Sequence, residues 1–343
     1  AHQREWYGLD YEPSTEAVIG TGASELLVAA VLALVEPGDE VLIIEPWFDI
    51  YCAAAALAGA RAVPVPLRVE GDRFRLDLPA IRAAITPNTR ALILNTPHNP
   101  TATVFTEAEL TELAAEMIDQ DILVISDEVY EHLVYPPAVH VPIARLAGMR
   151  ERTVTIGSGG KSFSFTGWKV GWATGPADLI AAVRVVRQHL SYVSGGPFKP
   201  AIAAGLRFPR SFFTDFAADL HRRREMLAGG LRDLGMHVYV TEGTYFVPVI
   251  EREWQRCLRD HGACGVGDRD VQLARAEVDA GDETQLAGEG DQGRTASAAR
   301  SDRGVQQTRS GELLDDVGHG GRREAGAAGQ LHLRQSPMSF ERL

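Results

Sequence analysis

The fold of this chain is indicated by one short stretch, GSGGKSFSFTGWK, which runs from Gly157 to Lys169. The stretch contains Lys161 and Lys169, two of the only three lysines in the chain; the third is Lys199. A lysine amine can form a Schiff base, whereas an arginine guanidinium stays protonated and cannot. The sequence therefore predicts that an amine, and not merely a positive charge, is required in this stretch.

The residues that precede Lys161 support this interpretation. Thr153-Val-Thr-Ile156 predicts a short buried strand, and Gly157-Ser-Gly-Gly160 then predicts a tight turn. Small residues let a cofactor approach the backbone closely. The alternative is an ordinary glycine-rich turn with a solvated lysine. Motifs elsewhere in the chain are needed to distinguish this from a cofactor-binding lysine.

Apolar strand-like runs alternate with helical stretches from Ala17 to about Gly175, which predicts βα units around a mostly parallel sheet. A long helix and the start of a second domain are expected to follow. The predicted strands are Glu40–Ile44, Ala91–Leu94, Ile122–Ile125, Thr153–Ile156, His237–Val240 and Gly243–Phe246. The predicted helices are Ser24–Val35, Glu107–Gln120, Ala177–His189 and Phe212–Leu234.

Polar and aromatic side chains follow four of these strands at the points where the strands end. In open α/β sheets, ligands bind at the carboxyl ends of the strands, so these residues are expected to meet in one crevice. Asp127 ends an apolar run, where a carboxylate is costly unless it meets a positive partner. Its neighbour Glu128 is expected to point elsewhere, into a structural ion pair. The residues at the strand ends are Phe48, Asn95, Asn99, Asp127, Tyr130, Ser158 and Lys161.

Together and in this order, the motifs resemble those of class I and II aminotransferases, which are pyridoxal-phosphate enzymes of fold type I. The likeness is greatest to the kynurenine and methionine aminotransferases and to actinobacterial N-succinyldiaminopimelate aminotransferases, and it runs from about Tyr7 to Phe246. The resemblance implies an α/β large domain, with a mostly parallel sheet flanked by helices, and an incomplete small domain. It also implies pyridoxal 5'-phosphate as cofactor, an amino acid and a 2-oxo acid as substrates, and a homodimer.

The resemblance assigns a role to each residue around the cofactor ring. Lys161 is the Schiff-base lysine and proton shuttle, and Asp127 keeps the pyridine nitrogen protonated. Phe48 matches the aromatic residue that stacks on the ring. Tyr130 and Asn99 match the residues that hydrogen-bond the 3-oxygen of the cofactor, and Asn95 matches a position that lines the site.

The phosphate of the cofactor has its own set of candidates. Gly22-Ala23-Ser24 opens an apolar helix, and the N–H groups and positive dipole end of a helix suit a phosphate. By resemblance, Lys169 supplies a positive charge and Ser158 a hydroxyl. An ordinary serine N-cap is the alternative for Ser24 taken alone.

One motif departs from the family pattern. The string Asn95-Thr-Pro-His-Asn-Pro-Thr-Ala102 ends in alanine where the family usually has glycine. If this position needs a positive φ the alanine costs stability, and otherwise it is neutral.

Composition limits the classes of partner. The 343 residues carry a formal net charge of −12, with a pI near 5.3, which argues against nucleic acid or an anionic membrane. Cys52, Cys257 and Cys264 are odd in number and lack metal-ligand spacing, and no apolar run approaches the length of a membrane span. A cytoplasmic location is expected.

The predicted organisation has three parts: a cofactor-binding large domain over 1–205, a connecting helix and the start of the small domain over 206–250, and a tail over 251–343. The tail contains no lysine and no isoleucine, and its only aromatic residues are Trp254 and Phe340. With so few large apolar side chains it is expected to be poorly ordered. Frame-shifted sequence and a native disordered extension both account for it.

Two family features are not found in the sequence. The family binds the substrate carboxylate with an arginine near the C-terminus, and Arg334 is the least unsatisfactory equivalent. The N-terminal arm that contacts the neighbouring subunit is also expected to be missing, which would weaken a dimer.

The predicted function is an aminotransferase that exchanges an amino group between an amino acid and a 2-oxo acid. A carbon–sulfur β-lyase on the same scaffold and a cofactor-binding but inactive truncated homologue are the alternatives. A transcription regulator that senses the cofactor is disfavoured by the acidic charge balance.

Overall fold

The computed structural model describes residues 1–193 and 195–250. The strands are β1 Ala17–Gly20, β2 Glu40–Glu45, β3 Arg61–Pro66, β4 Arg68–Glu70, β5 Arg73–Arg75, β6 Thr89–Asn95, β7 Leu123–Asp127, β8 Thr153–Ser158, β9 Gly171–Thr174, β10 His237–Val238 and β11 Val249–Ile250. The α-helices are α1 His2–Tyr7, α2 Gly22–Leu34, α3 Ile50–Leu57, α4 Leu78–Ala84, α5 Glu107–Asp119, α6 Gly159–Ser162, α7 Ala177–Leu190, α8 Phe198–Gly205 and α9 Arg210–Asp233.

Seven strands form the main sheet in the order β1-β9-β8-β7-β6-β2-β3. The five strands from β8 to β3 in this order are parallel, whereas β9 runs antiparallel to both of its neighbours. The mostly parallel α/β sheet predicted from the sequence is therefore confirmed. The four strands that were expected to carry site residues, β2, β6, β7 and β8, lie side by side in its centre.

The central strands are apolar on both faces because helices cover both faces of the sheet. Val41 and Ile43 of β2 pack into a core with α2, α3 and α7. Leu42 and Ile44, which alternate with them, pack into a second core with α4 and α5. This alternation explains why β2 is an unbroken apolar run in the sequence.

Helix α5 shows how local sequence sets an element boundary. Thr106 precedes the helix, and its hydroxyl accepts a hydrogen bond from the backbone N–H of Glu109. The Glu109 carboxylate in turn accepts a hydrogen bond from the N–H of Thr106, which completes a capping box.

The predicted strand over Gly243–Phe246 is wrong. Thr244 has a φ of 61°, in the left-handed region, so the backbone turns instead of extending. Gly243 contributes only an isolated bridge to Val134, and the strand that pairs with β10 is Val249–Ile250. The neighbouring prediction, His237–Val240, is correct only for its first two residues.

The described residues belong to one compact unit. The division predicted at residue 205 stays a prediction. The predicted tail over 251–343, with Arg334 in it, lies outside the described residues. Within residues 1–193 and 195–250, no helix combines the length and apolarity needed to cross a membrane.

Candidate active site

A cavity of about 490 Å³ opens at the carboxyl ends of the central strands. We call it the strand-end cavity. All of the site residues predicted from the sequence line it, namely Gly22, Ala23, Ser24, Phe48, Asn95, Asn99, Asp127, Tyr130, Ser158, Lys161 and Lys169. The predicted convergence of strand ends is thus observed.

The register of the sheet brings two of these residues together. Asn95 ends β6 and Asp127 ends β7, and the two residues are direct partners in the parallel pairing of these strands. The Asn95 amide nitrogen donates a hydrogen bond of 2.9 Å to the Asp127 carbonyl oxygen. Its amide oxygen accepts a hydrogen bond of 2.7 Å from the N–H of Asn99. Asn95 therefore joins two strand ends to the loop that carries Asn99.

Asp127 is a buried carboxylate whose negative charge is only partly stabilised by hydrogen bonds. One oxygen accepts a hydrogen bond of 2.8 Å from the Tyr51 hydroxyl, and the other accepts one of 3.2 Å from the N–H of Val129. Burial raises the pKa of the Asp127 carboxyl to about 6, and these hydrogen bonds together with the charge of Lys161 oppose the rise. A cationic N–H at this position would favour the ionised carboxylate.

Glu128 points away from the cavity, as the sequence predicted. Its carboxylate lies 3.0 Å from the His140 ring nitrogen and accepts a hydrogen bond of 2.7 Å from the Ser126 hydroxyl. The side chains of Glu128 and His140 are both buried.

Lys161 lies in the short helix α6, directly after β8. Its amine donates a hydrogen bond to the Tyr245 hydroxyl and lies 5.4 Å from the centroid of the Tyr130 ring. Ser158 caps α6, since its hydroxyl accepts a hydrogen bond of 3.2 Å from the N–H of Gly160. The strand, the cap and the one-turn helix together hold the amine at the cavity.

The start of α2 forms a polar cradle on another wall. Gly22 has a φ of 80°. Thr21 is the N-cap residue of the helix, but its side chain makes no capping hydrogen bond to the first turn. The N–H groups of this turn are therefore available to an anion. The Lys169 side chain passes beside Gly22, with its Cδ atom 3.8 Å from the position that a Cβ at Gly22 would take.

The remaining predicted residue, Phe48, is a half-buried wall of the cavity. Its ring meets the Tyr51 ring edge to face, with centroids 6.0 Å apart. Trp47, the other aromatic residue after β2, packs against the same core as Phe48 but does not line the cavity.

The structure also adds residues that the sequence did not single out. Thr21, Tyr51, Thr166 and Tyr245 line the cavity. Tyr51 belongs to an alanine-rich helix that reads as core, so the sequence carried no signal for its contact with Asp127. Tyr245 could have been found only by treating Gly243-Thr-Tyr-Phe246 as a turn.

Ala102 does occupy the conformation in question, with a φ of 58°. Since only glycine adopts this region without strain, alanine costs about 1 kcal/mol here. Its fully buried methyl group recovers part of that cost by packing near Tyr130 and Leu133.

Comparison with known proteins identifies the class. Residues 2–268 match the family described as aminotransferase class I and II. The chain is 50% identical over 247 residues to a probable N-succinyldiaminopimelate aminotransferase, DapC, of Mycobacterium tuberculosis. That match covers 72% of this chain and 62% of the relative. A kynurenine–oxoglutarate transaminase of Dictyostelium discoideum is 37% identical over 259 residues, which cover 71% of this chain and 60% of that relative.

Solved structures agree with this result. The N-succinyldiaminopimelate aminotransferase structure from Mycobacterium tuberculosis superposes with a TM-score of 0.72 at 47% identity, over 76% of this chain and 69% of that one. The structure of YbdL from Escherichia coli, described as having a methionine aminotransferase function, gives a TM-score of 0.69 at 35% identity, over 72% of this chain and 65% of that one. The chain belongs to the class I and II aminotransferase family, with the fold type I architecture predicted for it. Its match to DapC spans only 62% of the length of that relative.

The family depends on pyridoxal phosphate, and the residues of the strand-end cavity fit that cofactor. The side-chain oxygen of Asn99 and the hydroxyl of Thr21 are buried without a hydrogen-bond partner among the described residues. Asp127 is a buried carboxylate that could accept a hydrogen bond from a pyridine N–H. The uncapped start of α2, with Ser24, Ser158 and Lys169 around it, suits a phosphate.

Proposed function

We propose that this chain carries a pyridoxal-phosphate-dependent aminotransferase activity, which moves an amino group between an amino acid and a 2-oxo acid. The observation that carries the proposal is the strand-end cavity itself. A lysine amine, a buried carboxylate, an uncapped helix start and an aromatic wall line one cavity. The relatives reported above are all named as aminotransferases or transaminases, and no finding favours the carbon–sulfur lyase alternative.

When bound, pyridoxal phosphate supplies an electron sink for the charge that develops at the substrate Cα. The first turn of α2, Ser158 and Lys169 would hold its phosphate. Asp127 would hold a proton at the pyridine nitrogen, where its carboxylate is the hydrogen-bond acceptor. Phe48 would keep the ring flat, and Asn99 and Tyr130 would bind its 3-oxygen.

Lys161 performs the proton transfer in this proposal. Its amine would take up the proton that leaves the substrate Cα and would return it during the amino-group exchange. The substrate Cα must then lie within reach of this nitrogen, which requires the cofactor to be held in one orientation by the residues above. Asp127 is buried at the floor of the cavity, which would keep water away from its contact with the pyridine nitrogen.

The assignment of Lys161 as the Schiff-base lysine is tested by borohydride reduction of the protein with pyridoxal phosphate, followed by peptide mapping. The cofactor should be attached to Lys161, and the Lys161→Arg variant should carry no label. Lys199→Arg is the matched control and should label as the wild type does. Label on Lys169 or Lys199 would show that the assignment is wrong.

The substrates are proposed from the names of the relatives. A single-turnover assay should follow the absorbance of the bound cofactor after addition of N-succinyldiaminopimelate, kynurenine or methionine. No arginine is among the described residues that line the cavity, so slow turnover is expected with each donor. Rapid conversion would show a carboxylate-binding group that this part of the chain does not reveal. A protein that binds the cofactor and converts no donor would support the inactive-homologue alternative.

We also propose that the chain acts as a homodimer. Trp168 and Phe198 are exposed, and their rings stack with centroids 4.6 Å apart. We call these two residues the aromatic patch. Adjacent exposed apolar side chains are typical of a protein interface. A cytoplasmic location is proposed on the cysteine usage alone.

A further inference from the structure

The turn that carries Tyr245 is anchored by its backbone. The N–H groups of Glu242 and Gly243 donate hydrogen bonds of 2.8 and 3.0 Å to the carbonyl oxygen of Ala102. The N–H of Thr244 donates one of 2.8 Å to the carbonyl oxygen of Leu133. Thr244 is held in the left-handed region by these contacts, a conformation that surrounding structure has to impose on a threonine.

Two further contacts complete the anchor. The Tyr135 hydroxyl donates a hydrogen bond to the carbonyl oxygen of Thr244, and the Thr244 hydroxyl accepts one of 3.1 Å from the N–H of Phe246. Both Tyr135 and Thr244 are buried. The residue between these contacts, Tyr245, is therefore directed into the strand-end cavity from a rigid support.

The Tyr245 hydroxyl is the hydrogen-bond partner of the Lys161 amine. It also accepts a hydrogen bond of 3.3 Å from the Tyr130 hydroxyl. The amine lies 5.0 Å from the centroid of the Tyr245 ring and 5.4 Å from that of the Tyr130 ring, within the range of a cation–π contact. The two rings meet edge to face, with centroids 5.4 Å apart. The amine is thus held in a corner formed by two tyrosines.

We propose that Tyr245 is a positioning residue for Lys161, which holds the free amine in the strand-end cavity at the stage when it is not bonded to the cofactor. This inference rests on the proposed function. A lysine side chain has four rotatable carbon bonds, and without a partner its amine would sample many positions. Proton transfer to and from the substrate Cα requires one of them. The hydroxyl and ring of Tyr245 select that position, and they leave the amine able to depart because no ion pair with another described residue holds it.

Tyr245→Phe isolates the contribution of the hydroxyl, since it keeps the ring and its volume. Without any amino acid present, the rate at which the cofactor-free protein captures pyridoxal phosphate should fall about tenfold, the size expected for loss of one hydrogen bond. The pH profile of this capture rate should also shift relative to the wild type, because the hydroxyl contacts the amine while the amine is free. In turnover, kcat should fall while KM changes little.

The control is Tyr239→Phe, whose ring packs on Phe74 with centroids 4.7 Å apart and does not line the cavity. Its capture rate and pH profile should equal those of the wild type. Tyr245→Met serves as a second variant if Tyr245→Phe unfolds, because it removes hydroxyl and ring while filling similar space. Urea denaturation curves establish that each variant is folded.

The outcomes separate the two proposals. If the wild type captures the cofactor at Lys161 and Tyr245→Phe shows the same capture rate and pH profile, the role of Tyr245 is wrong and the proposed function stands. If the wild type does not attach pyridoxal phosphate to Lys161, both are wrong. A slower capture with a shifted pH profile, absent from the Tyr239→Phe control, supports the positioning role.

Discussion

At the scale of single residues, the Asp127 carboxylate is buried and its charge is only partly stabilised by hydrogen bonds. A substitution that removes the charge therefore tests its role. Asp127→Asn keeps the shape but removes the charge. Cofactor affinity should change by less than about tenfold, because the phosphate contacts at α2 remain. The rate of the amino-acid half-reaction should fall by about 100-fold or more, as expected when a preorganised electrostatic partner is lost.

The measurements for Asp127→Asn are an absorbance titration with pyridoxal phosphate and a single-turnover assay. Asp119→Asn, at the exposed end of α5, is the matched control and should behave as the wild type. Unchanged half-reaction rates in Asp127→Asn would contradict the role given to this carboxylate.

Glu131 is a second buried carboxyl group, and it makes stability depend on pH. Burial raises its pKa to about 8 from an ordinary value of 4.5. Between these values the folded protein keeps a proton that the unfolded chain releases. The proton that Glu131 keeps therefore contributes fully to the free energy of unfolding below about pH 4.5. This contribution is lost as the pH rises toward 8, by at most about 1.4 kcal/mol per pH unit.

Glu131→Gln removes this dependence, because glutamine stays neutral at every pH. Its free energy of unfolding relative to the wild type should improve steadily from about pH 5 to about pH 8, as measured by urea denaturation. Glu112→Gln on the exposed face of α5 should show no such trend. A constant difference between Glu131→Gln and wild type across this range would mean that Glu131 is ionised in the folded protein.

At the scale of elements, strand β9 and helix α2 touch through glycine. A Cβ at Gly171 would lie 2.6 Å from the carbonyl carbon of Gly22 and 2.7 Å from the nitrogen of Ala23. Backbone atoms cannot move aside as a flexible side chain can, so Gly171→Ala should displace the start of α2. We expect weaker binding of pyridoxal phosphate and a loss of stability of about 1 to 3 kcal/mol.

Gly229→Ala is the contrasting substitution for this prediction. Gly229 lies within α9, and a Cβ there would meet no heavy atom within 4 Å. Alanine should therefore stabilise the protein by about 0.5 to 1 kcal/mol and leave cofactor binding unchanged. Denaturation curves and cofactor titrations of both variants test the pair. Equal effects on cofactor binding would show that the contact at Gly171 does not shape the cradle.

At the scale of the whole molecule, the aromatic patch should decide the oligomeric state. Phe198→Lys replaces the ring that stacks on Trp168 with a charge and should weaken self-association by at least about tenfold. Sedimentation equilibrium measures the dissociation constant directly. Leu57→Lys, which changes an exposed leucine at the end of α3 outside the patch, should leave it unchanged. A wild-type protein that stays monomeric would rule out the dimer, and an unaffected Phe198→Lys dimer would rule out the patch as its interface.

The sequence by itself determined the type and order of the central elements. The apolar runs of β2, β6, β7 and β8 encode burial on two faces, and this local property predicts strands without knowledge of their neighbours. The sequence also predicted roles for Lys161 and Asp127, because a scarce lysine after a strand and a carboxylate ending an apolar run are both local signals. Their convergence followed from one rule, that parallel strands end at the same edge of the sheet.

The tertiary structure alone decided which side chains meet at that edge. Tyr51 reaches Asp127 across 76 residues of chain, and Tyr245 reaches Lys161 across 84. The turn at Thr244 has the same origin, since its left-handed backbone is imposed by hydrogen bonds to Ala102 and Leu133. Periodicity records whether a residue is buried but not what it is buried against, because the contacts depend on strand order, register and backbone angles that distant parts of the chain impose.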